Sequence, residues 1–63
     1  MKMNEKMKYA GMTVNERLFT SGLIDSYYLA LKRKDVSEIV NILKKIELDD
    51  ENIHNILKFE RLV

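Results

Sequence analysis

Two helix-start signatures constrain this chain more than any other feature: Thr13-Val14-Asn15-Glu16 and Asp35-Val36-Ser37-Glu38. In each, a short oxygen-bearing side chain stands where it can accept from a free backbone N–H of the first helical turn. A Glu three residues on can reach back to the N–H of the capping residue. Apolar residues at helical spacing follow both, and a weaker start stands at Asp49. Proline is absent and glycine occurs twice, which suits helices and leaves little material for tight β-turns. The pattern predicts an all-α fold: a small compact bundle of three main helices, the first kinked or split near Gly22.

The first helical region runs from about Val14 to about Lys34. At about 100° per residue, Phe19, Leu23, Tyr27 and Ala30 share a narrow stripe that Ile24 and Leu31 widen. Val14 and Leu18 fall on nearly the opposite side. Ser21-Gly22 separates the two groups, and a glycine there costs ~1 kcal/mol against Ala in a helix interior. In the second region Asp35 caps, and Val36, Ile39, Val40, Leu43 and Ile46 recur at three and four residues with Ile42 to one side. Lys44-Lys45 close its last turn, where cations suit the helix dipole. In the third, Asp49, Asp50 and Glu51 occupy the first turn, and Ile53, Ile56 and Leu57 form the stripe, with Phe59 or Leu62 as additions. The expected core is Leu18, Phe19, Leu23, Tyr27, Leu31, Ile39, Val40, Leu43, Ile46, Ile53, Ile56 and Leu57. Residues 1–11, which hold three of the four methionines and no sustained apolar period, read as an N-terminal tail. Residues 12–63 read as a single helical domain, with Met12 a second candidate start.

Composition narrows the function. No cysteine means no disulfide and no thiolate metal site, which fits a cytoplasmic protein. One histidine excludes a His-rich site. No apolar run approaches the roughly 18 residues of a membrane span, and the charged start lacks the apolar stretch of a secretory signal. The sequence offers no catalytic constellation, so no catalytic residue, cofactor or metal is predicted, and the expected role is not enzymatic. His54 flanks the third stripe with no partner in sight. Ser21, Ser26 and Ser37 carry no nucleophile motif, and there is no glycine-rich phosphate loop.

Net charge is +1, but it is polarised along the chain: residues 1–34 carry seven bases against three acids, and residues 35–63 four bases against seven acids. Glu47, Asp49, Asp50 and Glu51 place four acids in five residues. With Asp49 reserved as a cap, Glu47, Asp50 and Glu51 are the expected contacts to a basic protein partner such as a toxin domain. Tyr28, turned about 100° from the Tyr27 stripe, is the fourth expected contact, because an exposed Tyr anchors interfaces well. The alternative is a small helical nucleic-acid-binding regulator using Lys32-Arg33-Lys34 with Lys44 and Lys45. That arrangement is poor for DNA, because the third region is acidic. A homo-oligomer stays open.

The run Met12-Thr13-Val14-Asn15-Glu16-Arg17-Leu18-Phe19, with Ser21-Gly22-Leu23-Ile24-Asp25, Ala30, Asp35 and Ile46-Glu47-Leu48, resembles a group of short, mostly uncharacterised bacterial all-helical proteins. Some of these look like immunity proteins encoded beside secreted toxins of bacterial competition systems. The resemblance spans roughly residues 12–48. It implies a helical fold and a non-catalytic role, binding and neutralising one cognate toxin. Its Thr-Val-Asn-Glu-Arg-Leu motif has no chemistry attached and carries over no binding residue. The chain departs from the group at Ser26-Tyr27-Tyr28, where acidic and aromatic residues are expected.

Overall fold

The computed structural model describes residues 9–63. Its regular elements are four helices: α1 (Val14–Ser21), α2 (Ile24–Arg33), α3 (Val36–Lys45) and α4 (Asp50–Phe59). The all-helical expectation holds for these residues, and the count of three main helices does not. The chain from Val14 to Arg33 is two separate helices, because Gly22 takes a left-handed conformation (φ 79°) and Leu23 restarts the chain. The first eight residues of the predicted tail lie outside the described residues.

The expected starts are where the side-chain oxygens predict them. Thr13 Oγ1 accepts from the Glu16 N–H at 3.1 Å, and Glu16 Oε1 accepts from the Thr13 N–H at 2.8 Å, which completes a capping box. Asp35 accepts from the Glu38 N–H at 3.2 Å, and Asp49 from the Asn52 N–H at 2.9 Å. The fourth start, at Leu23, has no side-chain cap.

All four helices end alike. After each, a residue with positive φ turns the chain so that two N–H groups reach back to orphan carbonyls, the Schellman arrangement. Gly22 and Leu23 donate to Phe19 and Leu18; Lys34 and Asp35 donate to Leu31 and Ala30. Glu47 and Leu48 donate to Lys44 and Leu43; Arg61 and Leu62 donate to Lys58 and Leu57. Only the first uses glycine. Lys34 (φ 57°), Glu47 (φ 69°) and Arg61 (φ 61°) accept left-handed geometry as L-residues, at about 1–2 kcal/mol each. Asp35 serves twice, ending α2 and capping α3, so the α2–α3 corner needs only Lys34 and Asp35.

α3 is the central helix: it touches α2 on one side and α4 on the other, while α1 meets α2. Ile39, Ile42, Leu43 and Ile46 on it are fully buried, as is Leu18 of α1. Tyr27, Ala30, Ile53, Leu57 and Tyr9 complete the buried cluster. Leu23, Leu31, Val40 and Ile56 of the expected core are half-buried at its edge. Phe19 is not in it at all, being 75% exposed. The break at Gly22 resets the helical frame, so the stripe from Phe19 through Leu23 to Tyr27 never exists as one face. α1 instead turns in Val14 and Leu18, the residues that lie off that stripe. Tyr9, within the predicted tail, is buried because a turn at residues 9–12 (Met12 N–H to Tyr9 C=O, 3.0 Å; Gly11 φ 80°) folds it under α1.

Arg17 ties the ends together. Its Nε donates to the Met12 carbonyl at 3.2 Å, and its Nη1 donates to the carbonyls of Ile46 at 3.1 Å and Glu47 at 3.5 Å. Its guanidinium also sits 5.9 Å from the centre of the Tyr9 ring, within cation–π range. Among the described residues no helix is long and apolar enough to cross a membrane.

Two substitutions test this account. Arg17→Lys keeps the charge but loses the planar fork that spans both groups of carbonyls, and should lower stability by about 1–3 kcal/mol; an unchanged urea midpoint would show that the fork holds nothing. Lys34→Gly should raise the midpoint, by up to about 1 kcal/mol, through relief of left-handed strain offset in part by glycine's unfolded-state entropy. A lowered midpoint would contradict the αL assignment.

Candidate functional site

α4 packs on α3 alone, and α1 and α2 lie beyond the reach of its backbone. The gap is an open groove of about 700 Å³. Its floor is apolar: buried Leu18 and Tyr27, with half-buried Val14, Leu31, Leu48 and Ile56. Its rim carries exposed Asn15, Tyr28, Asn52, Asn55, Phe59 and Glu60. Helical spacing explains the α4 wall. Asn52, Asn55, Ile56 and Phe59 recur at three and four residues, one flank of α4, while buried Ile53 and Leu57 belong to the flank turned to the core.

Tyr28, one of the four expected partner contacts, is 50% exposed on this rim. Its ring leans on that of Tyr27 (centroids 6.0 Å apart, 53° between planes), and its hydroxyl donates to Asn15 Oδ1 at 3.5 Å across to α1. Phe59, on the opposite wall, is 83% exposed. Helical spacing offers Phe59 as an addition to the third stripe, but it falls outside the core, on the flank turned away from Ile53 and Leu57.

The other three expected contacts, Glu47, Asp50 and Glu51, are all exposed. Glu47 is the left-handed residue that ends α3, and Asp50 and Glu51 open α4, where the dipole favours acids. They do not line the groove. They interleave with Leu48 and Asn52, which do, so the acidic run flanks one end of it and Glu60 stands at the other. The acids do not converge on a point: among the described residues no group of three or more metal-ligating side chains comes together. His54 is exposed and outside the groove.

The basic residues of the alternative reading are split. Lys32 and Arg33 end α2 and Lys34 follows them, whereas Lys44 and Lys45 end α3. Since α3 starts where α2 stops, the two clusters are separated by the length of α3, about 15 Å.

In the groove wall, the Tyr27 phenol is pushed above its usual range, first by burial, then by the Glu60 carboxylate and by Tyr28. No family model matches this chain, and neither a curated protein nor a solved structure matches it.

The raised Tyr27 pKa has a signed consequence. The unfolded chain ionises this phenol first, so its contribution to stability is complete below about pH 10 and is lost as pH rises through the folded pKa. Comparing urea midpoints at about pH 9 and about pH 11, Tyr27→Phe should lose less than the parent chain. Equal losses would mean that the phenol is as free to ionise in the fold as outside it.

Proposed function

We propose that this chain is a non-catalytic protein-binding module, and that it acts as an immunity protein that binds and neutralises a cognate bacterial toxin. The observation carrying the reading is the open apolar groove edged by Tyr28 and Phe59 and flanked by acids. A domain of this size has little apolar surface to spare, and at this groove it leaves the Tyr28 and Phe59 rings and a half-buried apolar floor in water. Aromatic anchors around an apolar centre with polar residues at the rim make up the anatomy of a protein interface. The acidic flank selects a basic partner and accelerates encounter with it. The resemblance of the Thr13–Leu18 motif to the immunity-like group supplies the narrower identity of that partner.

The nucleic-acid alternative is weaker, because the basic clusters stand about a helix length apart while the acids stand beside the groove. Catalysis has no support in the groove, whose lining offers no nucleophile paired with a base.

The test uses the product of the neighbouring reading frame. A binding inhibitor neutralises at an equimolar end point, whereas an enzymatic antidote acts at trace amounts. Substoichiometric protection would refute the binding role. The combined variant Glu47→Gln, Asp50→Asn and Glu51→Gln should slow association at low salt and match the parent at high salt, with dissociation little changed. Asp49 is left intact because it caps α4. Equal association rates at low salt would remove the acids from the interface.

A further inference from the structure

We infer that the groove between α4 and the α1–α2 pair is a seat for an amphipathic α-helix with a basic outer face. This rests on the protein-binding reading and specifies what enters the site. The shape of the binding surface decides between helix and strand. An extended peptide brings unpaired backbone N–H and C=O groups that need main-chain partners, as at a sheet edge. Here the walls are helices, with their backbone groups paired internally, and the α1 and α4 ends facing the groove are closed by caps. The half-buried floor residues Val14, Leu31, Leu48 and Ile56 offer apolar surface. A helix satisfies its own backbone and presents only side chains, so it fits where a strand would leave buried polar groups unpaired.

Charge sets the other half of the specificity. Among the described residues Arg17 is the one cation lining the groove, and its guanidinium is engaged with the carbonyls of Met12, Ile46 and Glu47. The other charge among the described lining residues is Glu60, with Lys58 and Arg61 beside it, and three acids, Glu47, Asp50 and Glu51, flank the opposite end. A helix lying along α4 with apolar residues at i, i+3, i+4 and i+7 would set them between Tyr28 and Phe59. Lys or Arg on its flank would meet Glu47, Asp50 and Glu51 at the start of α4.

The experiment uses three synthetic peptides of one length and the full chain labelled for amide NMR. The first has Leu at helical spacing and Lys elsewhere. The second has the same composition rearranged to strict alternation. The third replaces Lys with Glu. The first should bind saturably and shift the amides of Asn52, Asn55 and Phe59 on α4 and of Tyr28 on α2. Phe59→Ala, at a site already exposed, should weaken it about 10-fold or more. Asn55→Arg should weaken it at least as much, by placing a like charge on the rim. The inference is overturned if the alternating or the Glu peptide binds as well, if shifts centre elsewhere, or if neither variant weakens binding. It is also overturned if the free chain forms a dimer that Phe59→Ala dissociates, which would assign the groove to a second copy. If the toxin is neutralised at equivalence but the Lys-faced helix is not held, the helix inference fails alone. If the helix is held but neutralisation is substoichiometric, the binding role fails alone.

Discussion

The Arg17 fork is the contact on which the arrangement of the other parts depends. The backbone of α1 comes close only to that of α2, so side chains must tie the start of α1 to the far end of α3. Arg17 does so by donating to Met12 on one side and to Ile46 and Glu47 on the other. The same bonds satisfy carbonyls that the end of α3 leaves without helical partners, and they place a fixed cation at the negative end of its dipole. Tyr9 closes over the guanidinium. The Arg of the Thr-Val-Asn-Glu-Arg-Leu motif thus has a structural task, as do its neighbours: Thr13 and Glu16 cap α1, Val14 and Leu18 fill its inner side, and Asn15 receives the Tyr28 hydroxyl. The motif positions one wall of the groove, and Val14, Asn15 and Leu18 are themselves part of its lining.

Short helices make these end contacts decisive. None of the four exceeds 10 residues, below the ~12–15 at which even favourable sequences hold a helix alone. Each therefore relies on its caps and on the face it buries. The three non-glycine left-handed turns are a cost accepted in return for sharp corners: Lys34-Asp35 allows α3 to start directly where α2 stops. The turn at Glu47 performs two further functions, directing the chain toward α4 and leaving a carbonyl for Arg17.

Helix starts were legible in the sequence and helix ends largely were not, for one physical reason. An N-cap needs a side-chain oxygen at a fixed position, so Thr13, Asp35 and Asp49 declare themselves. A Schellman end needs only a backbone angle, which Lys34, Glu47 and Arg61 adopt with no compositional mark. Gly22 did carry a mark, but whether it bends one helix or separates two depends on tertiary packing, and so three helices were expected where there are four. The misplacement of Phe19 follows from the same uncertainty in frame. Tyr9 was hidden because its burial comes from a turn and a cation–π contact rather than from periodicity. At the candidate site, Tyr28 was readable as the aromatic turned off its own stripe. The groove was not, since it exists only because α4 leans on α3 and leaves α1 and α2 uncovered.

That uncovered side is where structure and function meet. Had α4 closed on α2, Phe59 and the open sides of Leu31 and Ile56 would have been buried as well, and a small chain would have gained burial it can use. Instead α4 holds its inner flank on Ile53 and Leu57 and offers the adjacent flank to water. A partner that fills the groove supplies the missing layer, so binding and stability become linked: occupation adds to the folded state alone the free energy that the open groove forgoes. The polarity of the charges then gives this layer a direction. Acids gather at the start of α4, the guanidinium in the groove is held by backbone carbonyls, and lysines end α2, α3 and, beside Glu60, α4. On the proposed reading, an incoming basic surface would be attracted before any apolar contact forms, and the apolar floor would then retain it.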